Sequence, residues 1–320
     1  MKNLIQTSFL AFAFVFAASA LPQGGALAQA NAALQAGEAD TALNLLASLP
    51  QSAETYNLRC RVFFTLQEWD SAANDCQQAV TLDGRNSDFH MWLGRALGEK
   101  ADRASFLTAY SLAKRVRGEF ETAVQLNPRN PEALADLGEF YYNAPSIVGG
   151  GTDKAQAVAA QLDKVDPARA HELRARIASQ MKDYGTAERE FKTAVEVSQH
   201  PAFQWMSLAS FYRHRQQWND MESAVQNGYR AAQRDRRAGV ALFNGASVLS
   251  QAGRDPEFAA KMLHEYLDGQ SRTEEAPAFV AYTRLARLHA QIGDMDGARR
   301  ERAEAIALAR EYQPAQNLKF

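Results

Sequence analysis

The chain has 320 residues, of which 46% are hydrophobic, and its 35 Lys and Arg nearly balance its 37 Asp and Glu. A chain of this length can bury a large core. The balanced charge gives no support to the binding of nucleic acid or of an anionic membrane through net charge. A partner must therefore be recognised by a local pattern of side chains.

The N-terminus has the pattern of a secretory signal peptide. Lys2 supplies a positive charge, residues 9–18 form an unbroken apolar run, and a small-x-small cleavage site ends at Ala28. The run is shorter than the roughly 20 apolar residues of a membrane span. Cleavage after Ala28 fits the helix-breaking Pro and Gly residues that precede it, and Ala20 ends a second site. We expect an exported protein, periplasmic rather than extracellular, with no membrane span after cleavage.

A repeated pattern of aromatic and small residues runs through the rest of the chain. Its clearest copies begin at Tyr56, His171, Trp205 and Tyr282. Corresponding positions of two adjacent copies lie 34 residues apart, as at Tyr184 and Trp218, Phe191 and Val225, and Ala194 and Gly228.

This pattern resembles the tetratricopeptide family, whose repeats have the same period. The resemblance implies antiparallel helix pairs in which Ala allows close approach at the crossing and Trp, Tyr and Phe fill the spaces beside it. A single hairpin cannot bury its apolar faces alone, so several must stack. The sequence therefore predicts an all-α fold, a right-handed α-solenoid of about eight tetratricopeptide-like helical hairpins.

The predicted organisation is a signal peptide (1–28), a solenoid (29–312) and a C-terminal tail (313–320). Its units lie near residues 30–50, 53–86, 87–130, 131–167, 168–201, 202–235, 238–271 and 279–312. The first unit is truncated and the seventh is degenerate. The third unit carries about ten extra residues, in the stretch 99–113, compared with the regular period. We expect this insertion to lengthen or add a helix.

The fourth unit replaces its tight turn with a loop over residues 143–154. Pro145 ends the preceding helix, and Gly149, Gly150 and Gly151 permit unusual backbone angles. Such a loop before a helix can present N–H groups to an anion, but a P-loop needs a strand and a different spacing. We interpret it as a structural or partner-contacting loop. It also resembles a bacterial exported subgroup of tetratricopeptide proteins with an Ala-Pro-x3-Gly-Gly insertion, and that resemblance implies no activity.

The two cysteines, Cys60 and Cys76, fall on the two helices of the second unit, at positions that face the helix crossing. In an oxidising compartment they can form a disulfide. The alternative is a pair of buried thiols, since small apolar residues usually occupy both positions. The sequence leaves both interpretations open, and the spacing excludes a C-x-x-C redox motif.

The sequence contains no motif for metal binding or catalysis. The His-Glu pairs that start at His171 and His264 resemble the beginning of an H-E-x-x-H zinc motif, but Ala175 and Asp268 stand at the closing positions. G-x-S-x-G is also absent. We therefore predict no metal site, no cofactor and no enzymatic activity.

A row of mostly basic residues is predicted for the concave surface, which the first helix of each hairpin lines in this family. The seven groove-facing positions hold Arg61, Arg95, Glu139, Arg176, Ser210, Ala246 and Arg287, with Arg213 one turn further along its helix. Guanidinium groups bind carboxylates in bidentate fashion, so the row predicts an electropositive strip for acidic segments. The alternative is a solvated charged face without a binding role.

These features predict an exported tetratricopeptide scaffold that binds a protein or peptide partner in its concave groove, in envelope assembly or secretion. The arginines suggest that the partner is rich in carboxylates. Two alternatives stay open. One is an enzyme, or an enzyme subunit, that binds an anionic substrate through the Gly-rich loop; the other is a self-associating structural module.

Overall fold

A computed structural model describes residues 23–320, which form helices and turns without a strand. Sixteen of these helices pair into eight antiparallel hairpins: α1 (Gln23–Ala36) with α2 (Ala39–Ala47), α3 (Ala53–Thr65) with α4 (Trp69–Leu82), α5 (Ser87–Ala101) with α6 (Phe106–Leu126), α7 (Pro131–Asn143) with α8 (Thr152–Leu162), α9 (Pro167–Gln180) with α10 (Tyr184–Val197), α11 (Pro201–His214) with α12 (Trp218–Ala232), α13 (Gly239–Ala252) with α14 (Pro256–Asp268), and α15 (Ala278–Gln291) with α16 (Met295–Leu308). A short helix, α17 (Gln313–Gln316), follows. The predicted all-α solenoid of about eight hairpins is confirmed.

The start of the solenoid differs from the predicted boundary at Ala28. Residues 1–22 of the predicted signal peptide lie outside the described residues, but α1 already begins at Gln23. Leu27 packs against the core of the first hairpin. Glycines in a first turn weaken a helix without stopping it when later turns pack well, so the expected helix break before Ala28 is wrong. Between residues 23 and 320, no helix combines the length and apolar character needed to cross a bilayer.

Capping residues fix where many of the helices begin. The side chains of Ser52, Asn130, Asp166, Asp183 and Asp294 each accept a hydrogen bond from a first-turn N–H, in α3, α7, α9, α10 and α16 respectively. Proline opens α7, α9, α11 and α14, where its missing N–H costs nothing.

Small residues bring the two helices of each hairpin close together, as the repeat pattern predicts. Ala72 and Ala79 on α4, and Ala187 on α10, have no solvent exposure. A Cβ added at Gly94 on α5 would lie 2.5 Å from the ring of Phe120 on α6. These crossings therefore leave no room for a larger side chain.

The insertion in the third unit lengthens a helix. α6 has 21 residues, whereas the corresponding helices α4 and α10 have 14 each. The first residues of α6 extend beyond the neighbouring hairpins, so the side chains of Phe106 and Leu107 are 82% and 79% exposed.

The solenoid closes on itself, because its first hairpin packs against its last. One core cluster joins Leu34 and Leu46 of the first hairpin to Phe279 on α15 and to Tyr312, next to α17. Gly37 lies at this junction with a φ of +78°, and a Cβ added there would be 2.2 Å from the backbone nitrogen of Ala278. Glycine is therefore required by both the backbone angle and the close contact.

Cys60 on α3 and Cys76 on α4 form a disulfide across the second hairpin. Their Cα atoms are 5.3 Å apart, within the usual range for a disulfide. Both residues are fully buried in the core cluster that contains Leu93 and Ala96 of the third hairpin. Of the two interpretations that the sequence left open, the structure has the disulfide.

Candidate partner-binding groove

The first helices of the hairpins form the inner surface of the closed solenoid. Consecutive first helices contact one another from α3 through α5, α7, α9 and α11 to α13. Three of them, α7, α9 and α11, line most of a cavity of about 750 Å³ that is partly open to solvent. Its lining includes Glu139, Tyr142, Asp166, Arg169, Glu172, Arg176, His200, Phe203, Ser207, Asn244 and Glu275.

A hydrogen-bonded group of three residues lies on the wall of this cavity. Nη2 of Arg176 donates to Oε1 of Glu172 at 2.8 Å, and Oγ of Ser207 donates to the same oxygen at 2.7 Å. Burial opposes the charged form of Glu172, but the charge of Arg176 and these hydrogen bonds outweigh it and hold the pKa of Glu172 below its usual range. The group therefore stays ionised and fixes the shape of the wall between α9 and α11.

Of the five predicted arginines, Arg176 lines the cavity, and three of the five already have carboxylate partners. Arg61 pairs with Glu274. Nε of Arg95 donates to Oδ2 of Asp136 at 2.6 Å, and its Nη2 lies 3.2 Å from Glu132. Arg176 pairs with Glu172, as described above. The prediction of a free electropositive strip is therefore wrong for these three arginines. The acidic partners come from the segment before α15 for Arg61, from the next first helix α7 for Arg95, and from the same helix, α9, for Arg176.

The other two predicted arginines have no carboxylate partner among the described residues. Arg213 donates to Nε2 of His214 at 2.9 Å, while its own Nε is buried without a partner. Arg287 on α15 is exposed. Neither lines the central cavity.

Arg61 holds a segment that crosses between the ends of the solenoid. This segment, residues 269–277, connects α14 to α15, and we call it the clasp. Nε of Arg61 donates to Oε2 of Glu274 at 2.9 Å. The side-chain amide of Gln35 on α1 donates to the Glu274 carboxylate and accepts from the Glu274 backbone N–H, each at 3.2 Å. The carboxylate that Arg61 was predicted to bind is thus an internal one.

The residues that line the cavity carry a net negative charge. Its lining contains four carboxylates, from Glu139, Asp166, Glu172 and Glu275, and two arginines, Arg169 and Arg176, which gives 2 − 4 = −2 with histidine neutral. Glu139 and Glu275 line the cavity with exposed surface, and neither makes a hydrogen bond or ion pair among the described residues. Partial burial and the nearby charge of Glu132 nevertheless raise the pKa of Glu275. Glu275 lies in the clasp, outside the repeat pattern, so no sequence signal pointed to it.

The Gly-rich loop does not form an anion site with its glycines. Pro145 precedes a short 3-10 helix, Ser146–Val148, and the glycines follow it. The backbone N–H groups of Gly149, Gly150 and Gly151 donate to the carbonyl oxygens of Ser146, Pro145 and Tyr141, at 2.9, 3.2 and 2.8 Å. These donors face inward, so the basis for binding an anionic substrate through the loop is lost.

The glycines serve the packing of this loop instead. Gly149 has a φ of +98°, and a Cβ there would lie 1.9 Å from Nη1 of Arg117. A Cβ at Gly150 would lie 1.8 Å from the carbonyl oxygen of Ala144. The loop is therefore a structural turn, packed against α6 and the end of α7.

The structure also brings together three side chains that could bind a metal, although no sequence motif joined them. His264 on α14, His289 on α15 and Glu301 on α16 offer ligand atoms within 4.8 Å of one another. They are 25 and 12 residues apart along the chain, so a short motif search cannot find them.

Comparisons with known proteins agree with the fold. A structure of a thermophilic TPR protein from Thermus thermophilus is similar over 59% of this chain and 98% of its own, with a TM-score of 0.50 and 19% identity. PilF of Pseudomonas aeruginosa covers 83% of this chain and 97% of its own, with a TM-score of 0.41 and 14% identity. The C-terminal part of a TPR repeat-containing protein from Cytophaga hutchinsonii covers 92% and 100%, with a TM-score of 0.42 and 15% identity.

Sequence comparisons are more restricted. A family model described as anaphase-promoting complex subunit 5 matches residues 250–320. No curated protein sequence matches significantly. The repeat period, the eight hairpins and the similarity to the Thermus structure together define the fold, which is that of a tetratricopeptide-repeat α-solenoid.

Proposed function

We propose that the chain is a scaffold that binds a segment of a partner protein in its central cavity. The observation that carries this proposal is a cavity with a fixed wall and free polar groups. The Glu172–Arg176–Ser207 group holds the wall, while Glu139 and Glu275 present unpaired carboxylates. Binding of an extended segment or a helix is the common use of such a concave helical surface.

The acidic lining favours a partner segment with basic side chains over the carboxylate-rich segment that the arginine row suggested. A Lys or Arg of the partner would pair with Glu139 or Glu275. Tyr142 and Phe203 offer apolar contact area at the same cavity. Aromatic residues flanked by charges are typical of the positions that contribute most to binding.

We also propose that the protein is exported and acts in envelope assembly or secretion. The signal-peptide pattern at the N-terminus supports export. A disulfide between Cys60 and Cys76 also supports an oxidising compartment, because structural disulfides are rare in reducing cytosol.

Photo-crosslinking tests the binding proposal. Benzoylphenylalanine replaces Phe203 in the cavity, and in a control protein it replaces Phe106, which is 82% exposed on the outside of α6. We expect a discrete adduct with one protein from Phe203 and none from Phe106. Equal adducts at both positions would contradict binding in the cavity.

A pair of charge variants then tests the chemistry of the partner. In the Phe203 protein, Glu139→Gln with Glu275→Gln should reduce the adduct by about 100-fold or more, because each charged hydrogen bond contributes on the order of 1.5–3 kcal/mol, or about tenfold at the least. The matched control is Glu196→Gln with Glu257→Gln, which changes two exposed carboxylates on the second helices α10 and α14. A stronger adduct in the cavity variant would instead support a carboxylate-rich partner.

A further inference from the structure

Three side chains from consecutive helices converge at the junction of the last two hairpins. Nε2 of His264 on α14 and Nε2 of His289 on α15 lie 3.4 Å apart. Glu301 on α16 brings a carboxylate oxygen to within 4.8 Å of both. We propose that these three residues bind a divalent transition-metal cation of the zinc type.

The separation of the two nitrogens fits shared coordination. Zinc binds histidine nitrogen at about 2.0–2.1 Å in a tetrahedral site, which places neighbouring ligand atoms about 3.3 Å apart. The histidine pair is already at this distance, and coordination requires the Glu301 oxygen, now within 4.8 Å of both nitrogens, to approach more closely. Two imidazoles and one carboxylate form a set that zinc uses with three protein ligands and an open fourth position.

A neighbouring carboxylate orients one of the histidines. Nδ1 of His289 is 2.8 Å from Oδ2 of Asp294, which places the proton on Nδ1 and leaves the lone pair of Nε2 facing His264. Asp294 is itself fixed, because its Oδ1 accepts the N–H of Gly297 at 2.9 Å and caps α16. This is the arrangement by which proteins hold a histidine ready for a metal.

Gly297 leaves the space that this arrangement needs. A Cβ at that position would lie 2.2 Å from Oδ2 of Asp294 and 2.7 Å from Nδ1 of His289. Its backbone is helical, so a turn does not demand glycine here. The contact between Asp294 and His289 accounts for the missing side chain.

The proposed ligands have few competing partners. Among the described residues, the side chain of His264 makes one hydrogen bond, to His289. The side chain of Glu301 makes no hydrogen bond and no ion pair with any of them. All three side chains are half-buried, so solvent and an ion can reach them. The chemical alternative is a simple N–H···N hydrogen bond between the histidines, which would leave Glu301 without a role.

A metal at this position would stabilise the closed solenoid. His264 lies before the clasp and His289 after it, so the ion would join the two helices that flank residues 269–277. We therefore expect bound metal to raise the melting temperature.

Metal titration tests the proposal on the full chain, purified without a histidine tag and stripped with a chelator. We expect one equivalent of Co²⁺ to give the visible absorption of a tetrahedral complex, and Zn²⁺ to displace it. His264→Ala and Glu301→Gln should each abolish this absorption. Asp294→Asn keeps a cap for α16 and should weaken binding about 10- to 100-fold, as loss of a supporting carboxylate does.

His171→Ala is the matched control, because Nδ1 of His171 pairs with Glu190 at 2.7 Å on other helices. It should bind Co²⁺ like the unaltered protein. Absence of stoichiometric binding to the unaltered chain would overturn the proposal, and so would wild-type affinity in His264→Ala. Because the side chain of His264 is half-buried and its one hydrogen bond is to His289, this variant should fold, and circular dichroism checks that it does.

Discussion

The polar contacts that link neighbouring helices are made by single residues that the repeat pattern does not specify. His90 on α5 shows this well, since Nδ1 is 2.6 Å from Oε2 of Glu119 on α6 and Nε2 is 3.1 Å from the carbonyl oxygen of Gly84. The hydrogen bond to Glu119 outweighs burial and raises the pKa of His90. The charged histidine therefore stabilises the third hairpin.

Stability should depend on pH through this pair. Because the pKa of His90 is higher in the folded than in the unfolded chain, the pair stabilises the fold fully at a pH below the unfolded-state pKa, near 6.5. This stabilisation is lost as the pH rises through the folded-state pKa. We expect the free energy of unfolding to fall as the pH rises from 6 to 8. Glu119→Gln should flatten that fall in urea titrations at each pH, and an unchanged slope would show that His90 is not responsible.

The disulfide between Cys60 and Cys76 leads to a prediction about the free energy of unfolding. Cys60 and Cys76 close a loop with a sequence separation of 16, for which the chain-entropy model gives about 3 kcal/mol of stabilisation. Thiol titration of the unfolded, unreduced protein should find no free thiol. Cys60→Ala with Cys76→Ala should lower the free energy of unfolding by about that amount, whereas two reactive thiols in the native chain would contradict the disulfide.

The sequence predicts the features that depend on residues close together along the chain, which here are the helical hairpins. Ala72, Ala187 and the 34-residue spacing identify the hairpins because helix crossings require small residues at fixed positions. The partners of Arg95 and Arg61 could not be predicted. The partner of Arg95 lies 41 residues away on the next first helix, α7, and the partner of Arg61 lies 213 residues away and is brought near by closure of the solenoid.

Among the elements, α1 changes the interpretation of the N-terminus. Because α1 begins at Gln23 and Leu27 packs against the core, cleavage after Ala28 would remove part of the first hairpin. Cleavage after Ala20, the second site in the sequence, would leave α1 whole. Under the proposed export, we expect the mass of the processed protein to correspond to a chain that starts at Leu21, and a start at Gln29 would show that α1 is dispensable.

The clasp is the element that links the seventh hairpin to the first two. Loss of the Glu274 carboxylate would leave Arg61 partly buried without its partner, so Glu274→Ala should cost about 1–3 kcal/mol in stability. Glu275→Ala is the matched control, because this neighbouring carboxylate is exposed and has no partner among the described residues. Equal melting temperatures for the two variants would show that the clasp does not hold the ends together.

Arg61, Arg95 and Arg176 are poor positions for testing partner binding. Each holds a carboxylate of the scaffold itself, so an Arg→Glu change would place two like charges together and disturb the fold. Glu139 and Glu275 are better positions, since their loss should leave the helix contacts intact.

At the scale of the whole molecule, the first and last hairpins meet, and this contact closes the solenoid around its inner surface. Leu34, Phe279 and Tyr312 share one core, and the backbone N–H of Arg310 donates to Oδ2 of Asp40 at 3.0 Å. The same closure aligns the clasp with the cavity, where Glu275 meets residues from α7, α9 and α11. The partner is therefore expected to meet a rigid, preformed site.

The most direct test of this closure is a distance measurement between the two ends. Spin labels at Thr41→Cys and Glu311→Cys, both exposed positions beside the junction, report the separation by pulsed electron paramagnetic resonance. The closed solenoid predicts a single, short and narrow distance distribution, which Glu274→Ala should broaden. A long or broad distribution in the unaltered chain would show an open solenoid and contradict the contact between its first and last hairpins.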